Sequence, residues 1–339
     1  MSLRDTLLNP IKPLVRTAKL RMLKRNAEKQ LRTPTTPTPT RAHTGAHAHT
    51  NKGENPETRP PVFIFACGRS GTTILGKLLA AHPQVAYLRE PYHLWATIDP
   101  ALDVTNLHVR TPPRLWWKAE DATDQIRERF TRLILSQRER QHKPILIEKT
   151  PHNIYRIGLL EALTEGSARY IHIVRDGVDV ARSIDRLASN QPYKMAFRSD
   201  YNQWWGSNDL KWQRLRIEGP EHGCFTSEQV DALLSNAQRG AYEWLTSLAQ
   251  AALWREQLSE RLLEITYTNL TAEPIKTLRA IATHIGANAP TPWLEHAQAI
   301  LSPERKNQGK TLMLPHEMAE QFNAFEEHYH FTNRAQAAD

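Results

Sequence analysis

The body of the chain alternates short apolar runs with stretches of helical spacing. Val62–Cys67 is an unbroken apolar run, the length of a buried strand. Helical spacing follows over Thr72–Ala81, and Val85–Leu88 is a second short run. Asp124–Gln141 places Ile126, Phe130, Leu133 and Ile134 at helical intervals. Pro144–Ile147 reads as a strand, Ile154–Leu163 as a helix, Ala168–Val174 as a strand and Val178–Ala188 as a helix. Residues 193–226 keep no period and are rich in Trp. Ser227–Arg255 has the spacing of one or two helices. Leu262–Thr266 reads as a strand, and Pro274–Ile285 as a helix stopped by Gly286. Strands alternating with helices predict an α/β fold: a mainly parallel sheet with helices on both faces, plus a Trp-rich insertion.

The first sixty residues follow a different rule. Residues 1–31 mix Lys and Arg with aliphatic residues. From Pro13, which suits a first helical position, Leu14, Val15, Ala18 and Met22 fall on one face and most cations elsewhere. The pattern reads as a solvated, partly disordered arm or, as its functional alternative, a basic amphipathic helix lying on an anionic membrane surface. Residues 32–60 are Thr-, Pro- and His-rich, too polar to bury a core, and read as a disordered linker. His43, His47 and His49 there lack a scaffold for a metal. Residues 61–339 are then the folded domain.

Charge sharpens this division. The 339 residues hold 44 Lys and Arg against 36 Asp and Glu. Residues 1–60 carry 12 and 4 of these, so the body is neutral. A neutral body gives no footprint for nucleic acid. Two distant cysteines, Cys67 and Cys224, exclude a disulfide framework and a cysteine zinc site. No metal-ligand spacing is visible. With no apolar run of spanning length and no signal-type core, the expected place is the cytoplasm, with peripheral membrane contact through residues 1–31 left open.

Three polar clusters sit at predicted strand ends. Cys67-Gly68-Arg69-Ser70-Gly71-Thr72-Thr73 joins a strand to a helix, with glycines that let backbone N–H groups converge on an anion at a helix N-terminus. Its glycines are too close, and no Lys follows the second, so it is not the usual nucleotide-triphosphate loop. Arg175 ends another strand, and Ser183 lies about two turns into the next helix. Arg and Ser suit bidentate and hydroxyl contacts to a phosphate. Asp176 reads as that helix's cap. Glu148-Lys149-Thr150-Pro151-His152-Asn153 ends a third strand. In open α/β sheets ligands bind outside the carboxyl ends of strands, so the three clusters converge on one crevice.

Together these pieces resemble the sulfotransferase superfamily over residues 61–312. The resemblance implies a P-loop-like three-layer fold and 3′-phosphoadenosine 5′-phosphosulfate as co-substrate, with no metal. Gly68, Arg69, Ser70, Gly71, Thr72 and Thr73 resemble the family's 5′-phosphosulfate loop, and Arg175 with Ser183 its 3′-phosphate site. Glu264–Leu270 followed by Pro274 resembles a strand and turn in which Tyr267 would approach the co-substrate. Arg69 replaces the Lys of the cytosolic branch, and Ala81–Glu90 is similar to the tyrosylprotein segment that ends in the catalytic Glu. The chain thus resembles the tyrosylprotein and bacterial carbohydrate branches more than the cytosolic one. By that resemblance Glu90 is the general base, and Lys149 and Arg69 stabilise the transition state. The cytosolic closing motif near the C-terminus is missing, and Ser302, Arg305 and Lys310 form a looser match to it.

His93 and Glu148 stand beside these residues as rival bases. Tyr193, Trp204, Trp205 and Trp212, and the pair Trp116 and Trp117, offer flat faces for a sugar or fill a core. The segment Tyr201–Trp212 is similar to an insertion in bacterial enzymes of surface polysaccharides. A glycan hydroxyl is therefore the expected acceptor, ahead of a protein tyrosine. A P-loop small-molecule kinase and a membrane or nucleic-acid scaffold are the readings outside this class.

Overall fold

A computed structural model of the chain describes residues 11–33, 59–301 and 311–338. The linker residues 34–58, including His43, His47 and His49, lie outside the described residues, as do Ser302, Arg305 and Lys310.

Five strands form one parallel sheet: β1 (Val62–Phe65), β2 (Val85–Arg89), β3 (Ile145–Lys149), β4 (Arg169–Val174) and β5 (Leu262–Thr266), in the order β2-β3-β1-β4-β5. Alternation along β1 splits the core. Phe63 and Phe65 pack on one face with Tyr170, while Val62 and Ile64 pack on the other with Leu75, Ile281 and Trp293. Helices cover both faces, giving three layers. On the Val62 side lie α2 (Thr72–Ala80), Pro274–His284 and Thr291–Ile300. The opposite face carries α3 (Tyr92–Ile98), α4 (Gly177–Asn190), α5 (Asn236–Leu258) and α6 (His316–His328). The chain leaves β1 towards β3 and β2, then returns to β4 on the other side. That reversal makes the switch point where a crevice opens beyond the strand ends.

Several expectations need correcting. The helix expected over Asp124–Gln141 breaks into Asp124–Phe130, a π turn at Thr131–Leu135 and Gln137–Arg140. The π turn lies where Arg132 hydrogen-bonds to Gln30 and Thr33. Residues 193–226 are not irregular throughout: a hairpin pairs Tyr201–Asn202 with Gly206–Ser207, and Leu210–Glu221 is helical. Gly219 and Pro220 near that helix's end hid its period.

Helix α1 (Ile11–Arg32) packs on the body. Thr17 and Ala27 are buried, and Leu20, Leu23 and Leu31 are partly covered on the same side. Ala196 N–H donates to Thr17 Oγ1 at 3.2 Å, and the Arg16 guanidinium donates to Lys194 O at 2.6 Å. The face expected from the sequence, Leu14, Val15, Ala18 and Met22, points away from the body. Among the described residues no helix is long and apolar enough to cross a membrane.

Candidate active site

Every strand of the sheet delivers a singled-out residue at its carboxyl end. The chain leaves β1 through Gly68–Thr73, and Gly71 stands before α2 at φ 96°. A Cβ on Gly71 would lie 2.3 Å from the Tyr267 ring, which follows β5. Only glycine meets both the backbone conformation and that approach. Gly68 is constrained differently: a Cβ there would meet Trp204 at 2.3 Å. Ser70 and Thr72 are buried within the turn.

Glu90 follows β2, Lys149 ends β3, and Arg89 pairs with Lys149 in register. Lys149 O accepts from Glu90 N–H at 2.8 Å, and the buried Lys149 ammonium donates to Glu90 Oε1. Burial pushes the Lys149 amine below its ordinary value, and the Glu90 charge opposes that shift. Arg175 follows β4 and lies 5.0 Å over the Tyr267 ring. It also pairs with Asp179 at 3.2 Å. Asp176 caps α4 as expected, accepting from Asp179 N–H at 3.1 Å.

The two anion-binding pieces meet directly. Arg69 Nε donates to Ser183 Oγ at 3.0 Å. Burial lowers the Arg69 value, and the nearby Arg175 charge lowers it further, against partial relief from Glu90. Two guanidinium groups held in electrostatic reach of each other suit a polyanion between them. This donor set, with the glycine-lined turn, fits a nucleotide bearing two phosphate groups.

A cavity opens from Gly68, Arg69, Thr72, Thr73 and Glu90 towards Tyr92, Thr105, His152, Tyr193, Gln203, Trp204 and Lys211. Gly71, Lys149, Arg175, Ser183 and Tyr267 are absent from its lining. The turn therefore divides the crevice: an Arg175–Tyr267 side, and a cavity on the Glu90–Trp204 side.

Rival bases fall away. Glu148 is 0% exposed and accepts from Trp95 Nε1, Thr150 and Asn153. His93 lines a groove against α1, with Leu23 and Ala27, and not this cavity. The aromatic candidates also separate. Trp116 is buried and stacked on His222, and Trp117 is buried under Arg114. Trp205 is 1% exposed, with its Nε1–H on Asn236, and Trp212 is buried beside it. Only Trp204 and Tyr193 of that set line the cavity.

Lys211 and His152, which the sequence reading leaves outside the site, also line the cavity. Lys211 is buried and donates to both Glu243 oxygens at 2.7 and 2.8 Å. Glu243 also accepts from Trp204 Nε1 at 3.0 Å, and the Lys211 ammonium lies 4.1 Å from the Trp204 ring. This buried pair locks Trp204 over Gly68. Its signal is distributed, since Lys211 and Glu243 are 32 residues apart. Burial, with the Lys211 charge, pushes the His152 imidazole well below its ordinary value, so the cavity wall carries a neutral ring. Among the described residues no cluster of His, Cys, Asp or Glu could hold a metal.

A family model described as "Sulfotransferase family" matches residues 60–226. That stretch contains the Gly68–Thr73 turn, Glu90, Lys149, Arg175 and Ser183. Residues 60–226 thus match the sulfotransferase superfamily. Among sulfotransferases and their relatives, mouse carbohydrate sulfotransferase 4 is 36% identical over 56 residues, 16% of this chain and 14% of that protein. An Aquifex aeolicus protein described as uncharacterized is 24% identical over 242 residues. That match spans 68% of this chain and 26% of the Aquifex protein, so the chain spans about a quarter of its length. The solved sulfotransferase domain from the curacin biosynthetic pathway is 16% identical with a TM-score of 0.49, covering 81% of this chain and 99% of that one.

Proposed function

We propose that this sulfotransferase-superfamily chain moves a sulfuryl group from 3′-phosphoadenosine 5′-phosphosulfate to a carbohydrate hydroxyl, with Glu90 as general base. The observation that carries the reading is convergence. Five separate strands bring Gly68–Thr73, Glu90, Lys149, Arg175 and Tyr267 to one edge of one sheet. The polar cavity with Trp204 and Tyr193 in its walls, and the match to a carbohydrate sulfotransferase, favour a sugar acceptor.

When bound, the donor supplies the sulfuryl group and a phosphate leaving group. Gly68–Thr73 would hold its 5′ end with backbone N–H groups, the α2 N-terminus and the Thr72 and Thr73 hydroxyls. Arg175 and Ser183 would hold the 3′-phosphate, and Tyr267 would close the nucleotide side. Glu90 takes the acceptor's proton as its oxygen bonds to sulfur. Lys149 holds Glu90 in place and adds positive charge to the site. Arg69 neutralises charge building on the leaving phosphate, where fixed positive groups act most strongly.

Calorimetric titration of 3′-phosphoadenosine 5′-phosphate into the full chain tests the donor assignment. Arg175→Ala removes a charge-assisted contact worth about 1.5–3 kcal/mol and weakens binding roughly 10–100-fold. Equal or tighter binding of ATP, or an Arg175→Ala variant that binds as wild type does, sinks the assignment and reopens the kinase reading.

A further inference from the structure

We propose that α1 docks on an anionic membrane surface and ties that surface to the wall of the Trp204 cavity. The helix has two faces. One packs on the body through Thr17, Leu20, Leu23, Ala27 and Leu31. On the other, Ile11, Leu14, Val15 and Met22 are 49%, 47%, 61% and 53% exposed. Their spacing is helical, so they form one apolar stripe. A body-facing helix needs only its buried stripe. A second stripe, aimed outward, needs another apolar phase.

The charges say which phase. Ile11–Arg32 contains eight Lys and Arg and one acidic residue, Glu28. Lys12 and Lys19 border the stripe on one flank, and Arg21 and Arg25 on the other. On that second flank lies a groove lined by Arg21, Arg25, Arg110, Arg198 and Phe197. The Phe197 side chain there is 84% exposed. Exposed apolar side chains framed by cations are what the boundary between acyl chains and anionic headgroups accepts. A protein partner of ordinary composition would not call for cations on both flanks.

The link to the cavity is direct. Arg16 stacks at 3.6 Å on the Tyr193 ring, which lines the cavity, and its donation to Lys194 O anchors the same segment. A surface that seats α1 is thus held beside the cavity wall. The docking claim stands apart from the sulfotransferase reading. The claim about what the cavity meets rests on that reading.

The test is co-sedimentation of the full chain with phosphatidylcholine vesicles, with and without phosphatidylglycerol. The chain pellets with the anionic vesicles, and added salt releases it. Leu14→Glu with Val15→Glu, and separately Arg21→Glu with Arg25→Glu, lower the apparent affinity at least about tenfold. Their unfolding temperatures match wild type, because all four side chains are exposed. Leu253→Glu alters an exposed apolar residue elsewhere, 65% accessible, and leaves vesicle binding intact. No pelleting, equal pelleting with pure phosphatidylcholine, or insensitivity to the α1 variants overturns the proposal. So does a change in oligomeric state on Leu14→Glu with Val15→Glu without vesicles, which would assign the stripe to a second copy of the chain. Unchanged 3′-phosphoadenosine 5′-phosphate affinity in these variants separates failed docking from a failed donor site.

Discussion

Glu90 adopts a backbone that few side chains choose. Its φ is 44°, in the left-handed region, immediately before Pro91. Such a residue costs about 1–3 kcal/mol unless its surroundings hold it, and strain of this kind gathers at functional sites. Here the holders are visible: the Lys149 carbonyl on its N–H and the Lys149 ammonium on its carboxylate. Glu90→Gln keeps the shape and removes the base. Turnover should fall by about 10²–10⁴-fold while 3′-phosphoadenosine 5′-phosphate affinity holds. Steady-state kinetics beside calorimetry decide this, and near-normal turnover removes Glu90 from the role. The positive φ also explains why His93, three residues on, does not share the cavity. The chain turns at Glu90 and restarts as α3, so helical or strand spacing cannot be counted across it. That turn was invisible in the residues; only the family resemblance pointed to Glu90.

Two contacts between elements govern the rest of the site. The first is the Trp hairpin over the phosphate turn. Trp204 and Trp205 are adjacent, yet one lines the cavity and the other fills the core. Trp204→Ala should raise the acceptor KM roughly tenfold, on the worth of one stacked ring, with a smaller change for the donor. Trp205→Ala should instead destabilise the fold by about 3–5 kcal/mol, measured by urea unfolding. Equal kinetic effects from both would mean that the hairpin is only structural. Sequence could not separate them, because their environments come from Lys211 and Glu243 on one side and Asn236 on the other.

The second contact joins α6 to the start of α4. Glu326 is fully buried and its Oε1 accepts from Gly177 N–H, beside Asp176 and Asp179 and within reach of Arg334. Burial, then the Asp176 charge, raises its carboxyl to about 9 from 4.5. Between these values the native state keeps a proton that the unfolded chain has lost, so stability falls as pH rises through that window. Glu326→Gln removes this titration. Its unfolding temperature should therefore drop less than that of wild type between pH 5 and pH 8, both inside the window from about 4.5 to about 9. Identical pH profiles for the two proteins would show that Glu326 is charged throughout. The helix it caps carries Ser183 and follows Arg175, so α6 steadies the expected 3′-phosphate side from a distance.

On the scale of the molecule, legibility followed locality. Runs such as Val62–Cys67 with their following turns identified the strands, because burial on both faces leaves no polar alternation to confuse with a loop. The α/β class and the crevice at the strand ends followed from that alternation. Strand order did not, since nothing in a run of apolar residues names its neighbour. The elements after Gly286, Thr291–Ile300, α6 and the parallel pair Leu312–Pro315 with Ala335–Ala338, were not foreseen either. Lys310, expected near the donor, falls outside the described residues. Helix α1 was legible as a helix, but its buried side was not: Thr17 and Ala27 face the body with Leu20, Leu23 and Leu31, while Leu14, Val15, Ala18 and Met22 face out.

That inversion bears on the order in which the protein comes into being. Arg16 and Lys194, joined in the finished fold, are 178 residues apart in the chain. A ribosome adding about 5–20 residues per second separates their synthesis by on the order of ten seconds or more. During that interval the segment that will cover Thr17 does not yet exist. The nascent helix carries its outward stripe uncovered throughout, and whatever that stripe meets first, lipid or chaperone, meets it before the body is complete.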